Sequence, residues 1–139
     1  MRVVLDTNVC LDAFVFGDPR AATLLAAIES GDVEAVTRAD CRNEWLAVLD
    51  YRALKLEQAR RMAAEMFFDR LVAVLPTEVP AVKPPRCRDP DDQKFLELAM
   101  ASGAAVLFSR DAEVLKLGKR TAREGWFQIM KPEDWQRTL

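Results

Sequence analysis

Arg2-Val3-Val4-Leu5-Asp6-Thr7-Asn8-Val9 is the stretch on which the reading of this chain turns. Val3, Val4 and Leu5 are apolar without alternation, the pattern of a strand covered on both faces, as in a parallel sheet lying between helices. The run stops at a carboxylate followed by two polar residues of the capping type. In open α/β sheets ligands lie just beyond the carboxyl ends of the strands. Asp6 at that position either caps the next helix or contributes to a ligand site.

Working outward, Thr7 or Asn8 opens a short helix carrying Val9, Leu11, Phe14 and Phe16, broken by Gly17-Asp18-Pro19. Residues 20–29 form a second helix closed by Ser30-Gly31. Val33 to Thr37 reads as a strand, followed by a helix from about Asp40 to Tyr51 and a longer one from about Leu56 to Val74. Helical spacing in the latter joins Ala59, Met62, Ala63, Met66, Phe67 and Leu71 into a stripe whose simplest role is core packing, with an association surface as the alternative.

Pro80, Pro84, Pro85 and Pro90 make 79–90 an extended connector. Asp89-Pro90 then starts a helix, Asp as cap and Pro in the first turn, that ends at Ser102-Gly103. Ala105 to Ser109 is a strand, Asp111 to Leu117 a short helix, and Phe127 to Met130 a last strand before a terminal helix opened by Lys131-Pro132-Glu133. This alternation predicts a single domain over 1–139, a three-layer α/β/α sandwich on a mostly parallel sheet.

Composition excludes several classes. The chain has 139 residues, half of them apolar, and no histidine. Without imidazole there is no Ser-His-Asp or Cys-His pair and no His-ligated metal. Cys10, Cys41 and Cys87 are scattered, odd in number and without C-x-x-C spacing, so they read as small buried hydrophobes. No apolar run reaches the ~20 residues of a membrane span, and Met1 leads straight into a strand. The expectation is a cytoplasmic protein with no membrane partner. A net charge of −2 restricts any nucleic-acid footprint to a local basic patch.

Four acids fall at strand ends or on inward helix faces: Asp6; Glu44, beside the arc of Cys41, Trp45 and Val48; Asp92, on the side of Phe95, Leu96 and Ala99; and Asp111, after the strand ending at Ser109. Carboxylates beside a core need neutralising, and hard cations such as Mg²⁺ and Mn²⁺ prefer oxygen ligands. Each acid also has a plainer role. Asp6 and Asp111 suit helix caps, Glu44 a solvated helix face. Asp89, Asp91 and Asp92 all suit the positive end of a helix dipole, although helix facing turns Asp92 inward. Arg38, Arg42, Arg86, Arg88 and Arg110 lie near the same edge, as a phosphate-guiding group or as solvated surface.

Together Asp6-Thr7-Asn8 after an apolar strand, Glu44 on a helix, the run Asp89-Pro90-Asp91-Asp92-Gln93-Lys94-Phe95-Leu96-Glu97-Leu98-Ala99, and Ser109-Arg110-Asp111 resemble the ordered motifs of the PIN-domain family, most of all its small bacterial VapC-type, toxin-like ribonucleases. The resemblance implies a five-stranded parallel sheet. It implies Asp6, Glu44, Asp92 and Asp111 as metal ligands, directly or through water, with Thr7, Asn8 and Ser109 in support. Asp89 or Asp91 shares or replaces the role of Asp92 if the helix starts differently. The implied activity is endoribonucleolytic hydrolysis with Mg²⁺ or Mn²⁺, Arg38, Arg42, Arg88 and Arg110 guiding the RNA strand. A cognate antitoxin protein and a homodimer are the implied partners. The alternatives are a non-catalytic PIN-like scaffold that binds metal or RNA, and an aspartyl-phosphate phosphatase. The phosphatase would need a second Asp where Asn8 stands, and a flap nuclease would need helical insertions for which 139 residues leave no room.

Overall fold

In a computed structural model that describes residues 1–135, five parallel strands form one sheet in the order β3-β2-β1-β4-β5. The strands are β1 (Arg2–Leu5), β2 (Glu34–Thr37), β3 (Val72–Val74), β4 (Val106–Phe108) and β5 (Gln128–Met130). The unbroken apolar run at the N-terminus has its explanation in the layers. Val3 and Leu5 enter one core with Ala35, Val106 and Phe108, whereas Val4 enters a second core with Val36 and Leu107. Both faces of β1 are therefore dry, and β1 pairs with β2 on one side and β4 on the other.

The first core is covered by α1 (Thr7–Leu11), α2 (Ala22–Glu29), α3 (Ala39–Leu49) and α4 (Gln58–Leu71). Its centre is aromatic. Trp45 stacks on Phe68 with ring centroids 5.3 Å apart, and Phe14 meets Trp45, Phe67 and Phe68 edge-on. Such pairs add to the burial that fixes α3 against α4. The second core is covered by α5 (Gln93–Ser102), with Val114 of α6 (Ala112–Leu115) and Phe127 just before β5. A further helix, α7 (Gly118–Arg123), packs on β5. Cys10, Cys41 and Cys87 are free and buried.

Two expectations are corrected. The long helix ends at Leu71 rather than Val74, and residues 72–74 form the edge strand β3, registered Ala35↔Val72 through Thr37↔Val74. The buried face of α4 is Ala64 and Phe68, with Phe67 and Leu71 half-buried; Met62 and Met66 are exposed. The stripe drawn from apolar periodicity is thus rotated by about one position, because Phe68, the residue that reaches Trp45, sets the facing. Elsewhere the helix after Asp6 continues from α1 into a π-helical turn, Asp12–Phe16, closed by Gly17 at φ +59°. The Asp89-Pro90 start is a 3₁₀ turn, Pro90–Asp92, leading into α5. At the C-terminus the expected helix is a 3₁₀ turn, Pro132–Asp134, after which Trp135 is extended, and residues 136–139 lie outside the described residues. Among the described residues no helix is long and apolar enough to cross a membrane.

Candidate active site at the sheet switch point

The chain winds outward from β1 through β2 to β3, then returns to place β4 on the other flank of β1. The carboxyl ends of β1 and β4 therefore flank the point where strand order reverses, the position at which α/β sheets open a crevice. Asp6 leaves β1 and Ser109 leaves β4 at this point, and the Asp6 N–H donates to the Phe108 carbonyl at 2.9 Å.

Asp6 is 4% exposed. Its Oδ1 accepts from the Thr7 N–H and its Oδ2 from the Ser109 hydroxyl, both at 2.7 Å. Burial nonetheless pushes the carboxyl up to about 6; the two hydrogen bonds pull against this, and the charges of Glu44 and Asp111 add to it. Ser109, fully buried, also accepts from the Asp111 N–H at 3.0 Å and so ties the two acids to one hydroxyl. Asp111 caps α6, its Oδ1 accepting from the Glu113 N–H at 2.8 Å. The capping role and proximity to Asp6 thus coexist in one side chain.

Asp92, half-buried where the 3₁₀ turn meets α5, has its carboxyl raised to about 7. Desolvation leads, followed by the negative charges of Asp6, Asp111, Asp89 and Glu44. Asp89 and Asp91 behave differently: Asp89 caps the turn by accepting from the Asp91 N–H at 2.9 Å, and both are exposed. Glu44 arrives from α3, placed at the boundary of the core by inward Cys41 and Trp45. Its Oε2 accepts from the buried Thr7 hydroxyl and its Oε1 from the Lys94 ammonium, the latter at 2.8 Å. Asn8 turns its Oδ1 to the Arg110 N–H at 3.2 Å, bracing the exit of β4.

Four carboxylates from four elements thus share one electrostatic environment. As donors they are all oxygen, which fits a hard divalent ion and fits no soft one. As they stand, no three Asp, Glu or Cys side chains among the described residues are arranged to hold an ion. The donor chemistry is present; the enclosing geometry is not closed.

The basic residues divide. Arg38 is buried and bound to both oxygens of Asp40, at 2.8 and 2.9 Å, and to Glu97 at 2.9 Å. Arg42 is bound to Asp69 at 2.8 Å. Arg110 pairs with Asp12 and, at 2.7 Å, with Glu133. The expected phosphate-guiding role for these three meets guanidinium groups already engaged by the chain's own carboxylates. Arg88 is the exception, 82% exposed and 4.0 Å from Glu113. Two further residues of the site, Lys94 and Gln93, do not stand out as site residues in the sequence. Gln93 is buried and binds the Cys87 N–H at 2.7 Å and the Pro85 carbonyl at 3.1 Å, fixing the connector that delivers Asp92. A lysine two residues after a run of acids at a helix start was the available signal for the first.

Among solved structures the chain is similar to VapBC2 from Rickettsia felis, crystallised bound to a DNA fragment from their promoter, with a TM-score of 0.59 at 11% sequence identity over 93% of this chain and 97% of that one. At that identity the likeness concerns the fold. No curated protein matches the chain. The family model for the PIN domain matches residues 2–113, a span that takes in β1, the acids at 6, 44, 92 and 111, and the whole switch point. The chain belongs to the PIN domain family.

Proposed function

We propose that this PIN-domain chain is an endoribonuclease that hydrolyses RNA phosphodiesters with Mg²⁺ or Mn²⁺, the toxin of a toxin–antitoxin pair acting in the cytoplasm. The observation that carries the reading is the buried Asp6 at the switch point, held by Ser109 and Thr7 within the field of Asp92, Asp111 and Glu44. Membership of the PIN family and the fold shared with VapBC2 support the biological assignment. A cognate antitoxin protein, RNA as substrate and a homodimer are part of the same proposal.

In this reading Asp6, Asp92 and Asp111 hold the ion, with Glu44 contributing directly or through water. When bound, the divalent ion supplies Lewis acidity toward the scissile phosphate and the attacking water. The chain's own part is to aim the carboxylates. Ser109 and the Thr7 N–H fix the two oxygens of Asp6, the Thr7 hydroxyl holds Glu44, and α6 anchors Asp111 through its cap. Arg88 has the exposure to meet the RNA backbone, where phosphate contacts set register without reading sequence. A non-catalytic scaffold is the competing reading, and it draws on the unclosed arrangement of the acids.

The test incubates single-stranded and structured RNA with the protein and millimolar Mn²⁺ or Mg²⁺, with and without chelator, beside Asp6→Asn. Cleavage that needs the metal and falls at least ~100-fold in the variant supports the proposal. Cleavage indifferent to chelator, or equal in Asp6→Asn, overturns it. Metal binding without turnover on any RNA selects the scaffold.

A further inference from the structure

Both oxygens of Glu44 are occupied by groups of the chain. Oε2 takes the Thr7 hydroxyl, and Oε1 takes Lys94 Nζ at 2.8 Å. The lysine is itself well seated. Its Nζ donates a second bond to the Asp91 carbonyl and lies 5.3 Å from the centre of the Phe95 ring, and its side chain is only 18% exposed. Among the described residues it is the one cation in ion-pair contact with any of Asp6, Glu44, Asp92 and Asp111. A positive charge fixed by three contacts beside a group of carboxylates repels a second cation, and it keeps the carboxylate it touches from turning toward one.

We infer that Lys94 is a positioning residue for Glu44 and a resident counter-charge of the acid cluster. It retains Glu44 at a distance from a divalent ion, so that Glu44 reaches that ion through water, and it weakens the affinity of the free protein for the ion. The inference rests on the metal-dependent reading proposed above. It also gives α5 two opposed duties within three residues: Asp92 attracts the ion and Lys94 tempers that attraction.

The experiment titrates Mn²⁺ into the RNA-free protein and follows free Mn²⁺ by electron paramagnetic resonance. It compares wild type with Lys94→Met, which keeps the apolar stem over Phe95, and with Lys94→Arg, which restores the charge. Thermal melts establish that each variant is folded, and Lys94→Gln replaces Lys94→Met should that variant not fold. Lys94→Met is expected to bind Mn²⁺ about tenfold more tightly, the order expected when a like charge is removed from a few ångströms away. Lys94→Arg is expected to return the affinity to the wild-type value. Glu44→Gln is expected to weaken Mn²⁺ binding in both backgrounds, and by about tenfold more in Lys94→Met than in wild type, a coupling that a merely structural lysine would not produce. Unchanged or weaker binding in Lys94→Met, or additive effects of the two substitutions, overturns the inference while leaving the metal-dependent reading in place. Absence of Mn²⁺ binding in wild type and Lys94→Met alike overturns both.

Discussion

Asp6 carries a raised carboxyl, about 6, for a physical reason that fixes the sign of a pH effect. An acid that holds its proton more tightly when folded than when unfolded lends stability at low pH, present in full below about pH 4. That contribution is lost as pH rises through the folded value. Asp92, raised to about 7, acts in the same direction, with a smaller effect because it is only half-buried. In chelator, Asp6→Asn is therefore expected to be more stable than wild type at pH 7.5 by about 1–3 kcal/mol. The difference should vanish toward pH 4, as measured by urea denaturation at the two pH values. A variant less stable than wild type at pH 7.5 would mean that the hydrogen bonds from Ser109 and Thr7 outweigh the burial of charge. Asp6, Asp92 and Asp111 stood out in the sequence because strand ends and helix facing are local properties. The ammonium on Glu44 did not, since a contact between α3 and α5 spans fifty residues and leaves no periodic trace.

At the scale of elements, the end of the connector between β3 and α5 is bonded to one side chain of the helix it enters. Gln93 supplies an acceptor to the Cys87 N–H and a donor to the Pro85 carbonyl, both in the interior. Gln93→Ala leaves two buried backbone groups without partners, and each such group costs about 1–3 kcal/mol. The expected result is a loss of about 2–6 kcal/mol by chemical denaturation, the sum over two sites. Faster amide exchange at residues 86–88 is expected with exchange in β1 and β4 little changed. Uniform loss of protection across the sheet would show instead that the connector belongs to the central cooperative unit. The connector itself was evident from its prolines. The junction at Leu71 was not, because three residues on an edge, of which Ala73 and Val74 are exposed, carry too little apolar pattern to end a helix on paper. Pairing with Ala35, Val36 and Thr37 decides that boundary, and pairing is a tertiary fact.

For the whole molecule, the switch point is where the fold gathers the four acids. If the acids take up a divalent ion in the folded state alone, Mn²⁺ stabilises by mass action, about 2.7 kcal/mol at a hundredfold excess over the dissociation constant. Millimolar Mn²⁺ is expected to raise the melting temperature of wild type by several degrees and that of Asp6→Asn by far less, in scanning calorimetry at pH 7.5. Equal shifts would place binding away from residue 6. The parallel layered architecture could be read from the order of apolar runs and caps. Four of its strands came from residue patterns, and the fifth followed only from the family likeness.

The middle of the sheet is assembled from distant parts of the chain: β1 begins at residue 2, whereas its neighbour β4 ends at residue 108 and delivers residue 111 after it. During synthesis, a ribosome that has released only the first hundred residues exposes Asp6 and Glu44 with the flank of β1 bare. The cluster cannot form until β4 has emerged and slotted in. Whatever the four acids do together, a growing polypeptide that has not yet laid β4 beside β1 has no such cluster to do it with.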